Sequence, residues 1–186
     1  MEKIRAFIAV DLPVSQKVLE VINELKKIQL NAKIVEIENL HLTIKFLGDT
    51  DEILIDKIGE ILSNVIKDMP SFEISLKKIG VFPNQKYIKV VWIGVENTEI
   101  LKKIAEKIDS KLVGLGFEKE KRSFSAHLTI ARVKSPRNKE KLLGLLNKYQ
   151  DTNFQKLKVN KIFLKKSVLT PEGPIYTNLK EIEIGE

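Results

Sequence analysis

Cysteine is absent from all 186 residues. That single absence excludes disulfides, thiolate zinc sites and cysteine nucleophiles. No apolar run is long enough to span a bilayer. The opening stretch, MEKIRAFIAVDLP, carries Glu2, Lys3 and Arg5 before a short apolar segment. A signal peptide needs a longer apolar core and a small-residue cleavage site. These absences predict a soluble, cytoplasmic protein with no membrane partner. No linker or low-complexity segment divides the chain, so one domain, or two lobes sharing a core, is expected. Histidine is nearly absent too, with two in the whole chain. What is abundant is positive charge. Thirty-two Lys and Arg against 25 Asp and Glu give a net charge of +7, which favours polyanionic partners, nucleic acid first.

Hydrophobic periodicity supplies the elements. Residues 4–10, IRAFIAV, read as a buried strand stopped by Asp11 and Pro13. Ser15 is placed to cap a helix whose apolar face carries Val18, Val21, Ile22, Leu25 and Ile28. A short strand is expected over 33–38 and a clear one over 41–47. Thr50 or Asp51 is the expected cap of a helix running to about Lys67. Strands follow at 72–79 and 87–95, with Trp92 in the core. A helix begins near Thr98 and ends at Gly114 and Gly116. The strand at 126–133 is expected to break at Pro136. A helix carrying Leu142, Leu143, Leu145 and Leu146 follows, then strands at 157–165 and 175–184 around the turn TPEGP.

The two histidines head the same tetrapeptide. HLTI occupies 41–44 and again 127–130, 86 residues later and close to half the chain. Each copy is a strand with a helix after it. The spacing predicts an α+β fold of two pseudo-symmetric lobes, antiparallel sheet with flanking helices, whose repeats face one another across a central cleft. Side chains alternate across a strand. His41 and Thr43 therefore share one face, with Lys45, and Leu42, Ile44 and Phe46 take the other. His127 and Thr129 share a face in the same way, against Leu128 and Ile130. Two imidazoles and two hydroxyls then meet in the cleft.

That set suits phosphoryl chemistry. In-line displacement at phosphorus needs a base on the attacking oxygen and an acid on the departing one. Histidine serves both tasks near neutral pH. Threonine hydroxyls can donate to the non-bridging oxygens, where charge grows. A single HxT is a weak pattern; two copies holding every histidine in the chain make a far stronger one. A catalytic zinc site normally takes three protein ligands, and no nearby acidic residue is spaced to complete one, so no metal and no other cofactor is expected. Asp49 and Asp51 read as turn and cap residues. Ser123 and Ser125 read as loop residues rather than nucleophiles.

The stretches ENLHLTIKFLGD (38–49) and FSAHLTIARV (124–133) resemble the paired motifs of the two-histidine phosphoesterase superfamily. RAFIAVDLP, GVFPNQKYIKVVWIGV and SVLTPEGPIYTNL extend the resemblance over nearly the whole chain. They make it most similar to the RNA 2′,3′-cyclic phosphodiesterases, also called 2′-5′ RNA ligases, of bacteria and archaea. The resemblance implies one bilobal domain over 1–186 with one HxT in each lobe. It implies hydrolysis of a terminal 2′,3′-cyclic phosphate on RNA to a 2′-phosphate, with reversible 2′-5′ ligation at the same site. By analogy His41 is the proton donor to the leaving 3′-oxygen and His127 the proton acceptor from water, while Thr43 and Thr129 bind the phosphate. Arg132 matches the arginine after the second family motif and is expected to stack on a base or contact phosphate. By strict alternation it points away from His127 and Thr129, so it needs a bulge or the strand end to reach the cleft. Phe7 is a weaker candidate for stacking a base, and Tyr176 for lining the cleft. The expected partner is an RNA with a cyclic phosphate end, broken tRNA included, and a self-contained cleft implies a monomer. Two rival readings use the same residues: a non-catalytic module that binds RNA ends, and a ligase whose main task is joining tRNA halves.

Overall fold

Branched apolar residues form the first strand where expected, β1 (Lys3–Asp11). After Pro13 the Ser15 hydroxyl accepts from the Val18 amide and opens α1 (Gln16–Lys27). The computed structural model describes residues 2–135 and 137–185. The strand break expected at Pro136 lies outside the described residues.

The remaining elements are β2 (Ala32–Ile34), β3 (His41–Asp51), α2 (Ile55–Ile66), β4 (Phe72–Pro83), β5 (Ile88–Glu96), α3 (Glu99–Leu112), β6 (His127–Val133), α4 (Lys139–Tyr149), β7 (Asn153–Val159), β8 (Lys161–Leu169) and β9 (Pro174–Glu183). Three departures from the sequence reading have physical causes. The strand at 41–47 runs on to Asp51, so neither Thr50 nor Asp51 caps α2; a 3-10 turn at Glu52–Leu54 leads in instead. The strand expected at 157–165 is two strands, because at Asn160 the chain leaves its place beside β4 and passes to a place beside β1 in the other lobe. The short strand expected at 33–38 covers Ala32–Ile34, and a 3-10 turn at Ile37–Asn39 replaces its second half. The end of α3 matches expectation: Gly116, at φ 91°, takes the left-handed conformation that stops the turn after the helix.

Among the described residues nine strands join one sheet, in the order β7-β4-β5-β6-β3-β1-β8-β9, with β2 beside β6. The named pairs are antiparallel. The sheet reads as two four-stranded lobes, β7-β4-β5-β6 and β3-β1-β8-β9, meeting where the two HLTI strands lie side by side. That meeting is thin. β3 and β6 share one partner pair, Leu42 with Leu128.

The helices tie the lobes together by exchange. α1 follows β1 but packs against β7 and α4 in the other lobe, and Ser15 donates to the Phe154 carbonyl there. α3 follows β5 and crosses the opposite way, onto β3 and α2. α2 and α4 stay with their own lobes. Buried aliphatics from sheet and helices, Ile8, Ile22, Leu42, Leu62, Ile104 and Leu128 among them, form one continuous core.

Gly80 shows how closely β4 and β5 pack. A Cβ there would lie 2.3 Å from the Trp92 ring, which rests on the glycine and against Phe82. Gly80→Ala is therefore expected to destabilise the fold by about 1–3 kcal/mol and to shift the emission of Trp92, the sole tryptophan. Urea unfolding monitored by that emission checks both.

Candidate active site

The pleat delivers the site. Leu42 and Leu128 point into the core and are fully buried. Their flanking residues point the other way. Antiparallel register through the one Leu42–Leu128 pair sets His41 across from Thr129 and Thr43 across from His127. All four residues line one cavity of about 1760 Å³ between the lobes. The grouping expected from the repeat is the grouping found.

Each imidazole is held in the same way. His41 Nδ1 lies 2.7 Å from the Asn39 carbonyl, and His127 Nδ1 lies 2.9 Å from the Ser125 carbonyl. In both cases the partner is two residues upstream. A carbonyl can only accept, so Nδ1 carries the proton and Nε2 is the free nitrogen of each neutral ring. Aromatic rings steady both. Phe7 and Tyr176 pack on His41 at 5.0 and 5.2 Å, and Phe82 stands edge-on to His127 at 5.1 Å.

The surroundings differ, and so does the chemistry. Burial pushes the pKa of His41 down, because the charged ring is poorly solvated there. Two cations, Lys165 and Arg132, push the same way. The Asn39 carbonyl and Asp11 oppose them without cancelling the shift. Asp11 pairs with His41 across β1 and β3, and it also binds the buried Lys165 at 2.7 Å. Burial also raises the Tyr176 phenol, against Arg132 and Arg5, so its hydroxyl stays a donor.

Arg132 lines the cavity, and the bulge it needed is present. In the β5–β6 ladder Val91 pairs with Ala131 and Trp92 with Thr129, leaving Ile130 without a partner. One extra residue reverses the alternation beyond it. The same device recurs in β3. Ile8 pairs with Lys45 and Ala9 with Thr43, leaving Ile44 over. From each histidine the burial runs in one sequence: half-buried, buried, half-buried, buried, buried, exposed, buried.

The duplicated bulge corrects two assignments, Phe46 and Lys45, and burial corrects a third, Phe7. Phe46, placed on the core face by simple alternation, is 65% exposed and lines the cavity. Lys45, placed beside His41 and Thr43, is 8% exposed and reaches across to α3. Its ammonium donates to Asp109 at 2.6 Å and to the Glu118 carbonyl at 3.0 Å. Phe7, proposed as a platform for a base, is 3% exposed beneath His41 and Tyr176, so it supports the imidazole instead. Trp92, expected in the core, is half-buried against Gly80 and Phe82. Sequence reasoning missed Phe82 and the two carbonyls. Every residue has a carbonyl, so nothing in the letters marks those two. Among the described residues no group of three or more His, Asp or Glu is placed to hold a metal ion, and no helix is long and apolar enough to cross a membrane.

Lys45 closes a gap the backbone leaves open. Beyond the Leu42–Leu128 pair β3 and β6 separate, and the chain after α3 fills the space. Asp109 accepts from Lys45 and from the Glu120 amide at 3.1 Å, pinning that chain to β3. Burial alone would raise the Asp109 carboxyl, but these hydrogen bonds outweigh it and hold it below the usual aspartate range.

Comparison with known proteins finds relatives over nearly the whole chain. The model of the 2′-5′ RNA ligase superfamily matches residues 13–167. A Methanocaldococcus jannaschii protein called RNA 2′,3′-cyclic phosphodiesterase is 45% identical over 182 residues, covering 95% of this chain and 99% of its own. One of the same name from Methanothermobacter thermautotrophicus is 42% identical over 180 residues, with 96% and 97% covered. Among solved structures, the Thermus thermophilus protein TT0787 superposes with a TM-score of 0.79 at 24% identity, over 97% of both chains. Escherichia coli LigT, solved with 3′-AMP, superposes at 0.74 and 22% identity over the whole of both. At those identities the two structures establish the fold.

Two outcomes follow from the electrostatics. The His41 ring should titrate in NMR at a pH below the ordinary histidine range of about 6.5, and inorganic phosphate in the cleft should move its midpoint upward. Lys45→Met should cost about 1–3 kcal/mol in urea unfolding by taking the ammonium partner from the partly buried Asp109 carboxylate, which keeps only the Glu120 amide. A lowered carboxyl stabilises fully above the unfolded aspartate value of about 4 and loses its contribution as pH falls through the folded value. The gap between variant and wild type should therefore be full at neutral pH and close in acid.

Proposed function

The chain belongs to the 2′-5′ RNA ligase superfamily, and on that premise we propose that it is an RNA 2′,3′-cyclic phosphodiesterase working by paired-histidine acid–base catalysis. The observation that carries the reading is the placement of both imidazoles and both threonines on one face around one cavity, each ring held as the Nδ1–H tautomer. The curated relatives of that name match over nearly their full length.

The mechanism is read from the roles each group can fill. Water attacks the phosphorus of the cyclic phosphate. His127 Nε2 accepts the water's proton. The bond from phosphorus to the 3′-oxygen breaks, and His41 delivers a proton to that oxygen. The product is a 2′-phosphate with a free 3′-hydroxyl. Thr43 and Thr129 donate to the non-bridging oxygens as charge grows on them. His41 enters this cycle protonated, although the empty cleft disfavours its charge. The anionic phosphate supplies the missing counter-charge, and a ring with a lowered pKa gives up its proton more readily. Both proton transfers come from side chains of the chain itself, which is why no metal is assigned a step. Both motifs also come from one chain, so we read the single chain as the working unit. With a 5′-hydroxyl in place of water the same steps join two RNA ends, such as the halves of a broken tRNA, through a 2′-5′ linkage.

His41→Ala and His127→Ala are each expected to lower turnover of a cyclic-phosphate-ended oligonucleotide by about 10²–10⁴-fold with unchanged circular dichroism. EDTA should have no effect. The rate should fall in acid as the base ring gains a proton, and in alkali as the acid ring loses one. Chromatography of the product should show a 2′-phosphate. A 3′-phosphate product, or activity lost to EDTA, would contradict the mechanism.

A further inference from the structure

Phe46 makes one ring contact, with Phe7 at a centroid distance of 6.2 Å, and most of its surface faces water. A phenyl ring 65% exposed on a strand leaves apolar area in water, and plain alternation would have buried it. The bulge that turns it out is repeated at the same offset in β6, where it turns out Arg132. One duplicated device thus sets one residue from each lobe into the cleft. The antiparallel register puts them at opposite ends. Arg132 lies beyond Thr129, at the end where His41 stands, and its charge acts on His41 and Tyr176. Phe46 lies beyond Thr43, at the end where His127 stands.

The space at that end is large. The main cavity exceeds the roughly 300–1,000 Å³ that one small ligand fills. A second cavity of about 770 Å³ continues past Phe46, between the far end of β3 and the chain after α3. The bonds of Lys45 and Asp109 hold that chain in place, so the space is built in advance. Its walls mix cations, Lys119, Lys121 and Arg122, with the carboxylates Asp49, Asp51 and Glu120. Balanced charge points to stacking rather than ion pairing as the source of affinity.

A cyclic phosphate end has a nucleoside on one side of phosphorus, whereas a phosphodiester has one on each. We propose that Phe46 and the cavity beyond it form a second nucleoside subsite, on the His127 side of phosphorus, which stacks the base of the nucleoside carrying the 5′-hydroxyl. The proposal rests on the reading of this chain as acting on cyclic phosphate ends with His127 as the base. In joining, the 5′-oxygen attacks phosphorus and His127 takes its proton. The bond to the 3′-oxygen breaks, and His41 protonates that oxygen, leaving a 2′-5′ linkage. In reverse, His41 takes the proton of the attacking 3′-hydroxyl. The bond from phosphorus to the 5′-oxygen breaks, His127 protonates that oxygen, and the cyclic phosphate re-forms. In hydrolysis, water replaces the 5′-hydroxyl and the subsite stays empty. An exposed ring suits that task, because every base has a face to stack.

The test compares two probes, adenosine 2′,3′-cyclic phosphate with one nucleoside and 2′-5′-linked ApA with two. Phe46→Ala should lower kcat/KM for cleavage of the dinucleotide by about 10-fold or more, at least about 10-fold beyond any loss on the mononucleotide. Phe46→Trp should restore it. Circular dichroism confirms that each variant is folded. Equal losses on both probes would overturn the proposal, since Phe46 would then serve the first nucleoside or the catalytic centre. No loss on the dinucleotide would overturn it as well. Wild-type protein that turns over the mononucleotide alone would remove the subsite and leave the hydrolase reading standing. Turnover of neither probe would remove both.

Discussion

The site hangs on the two-residue period of a pleated strand at one point of contact. Leu42 and Leu128 form the only partner pair between the two HLTI strands. Because alternate side chains take opposite faces, burying that pair leaves His41, Thr43, His127 and Thr129 no direction but the cleft. A slip of one residue would bury the polar set and expose the aliphatic one. The core around both leucines, together with the exchange of α1 and α3 between lobes, makes such a slip costly. Beyond that pair the two strands part, and the gap is closed by the side chain of Lys45 rather than by a ladder.

Duplication makes the halves alike, and their neighbours make them different. Each imidazole gives its Nδ1 proton to a carbonyl two residues upstream, and each rests on an aromatic ring. The strands beyond them break the likeness. β8 brings Lys165 beneath His41 and β9 brings Tyr176 beside it, whereas β5 and β4 bring Trp92 and Phe82 to the His127 side. Burial and two cations then depress His41. A general acid and a general base need unlike environments. The asymmetry therefore lies in the parts of the chain that were not copied.

Much of this was readable in the letters. The repeat, its spacing and the restriction of histidine to it are enough to pair the imidazoles. Ser15 was readable because a cap depends on local geometry. The bulges were only half readable. Arg132 sat on a face meant for the core, and a guanidinium in that position announces a break in the pattern. Phe46 occupies the equivalent place in the first copy, but an aromatic residue on an apolar face raises no alarm, so its exposure was missed. Lys45 misled for a related reason, since its direction depends on the unpaired Ile44 beside it, and that bulge is set by the register with β1. The join at Asn160 and the late start of α2 were lost because both depend on which strand lies alongside.

The claim beneath all of this is that one phosphorus sits between two imidazoles that act on opposite oxygens. A crystal structure with orthovanadate in the cleft tests it most directly. The account predicts a vanadium held by Thr43 and Thr129, with Nε2 of His41 and Nε2 of His127 each within about 3 Å of an oxygen, the two oxygens on opposite sides of the metal. Vanadate bound by one imidazole alone, or seated away from both, would contradict it.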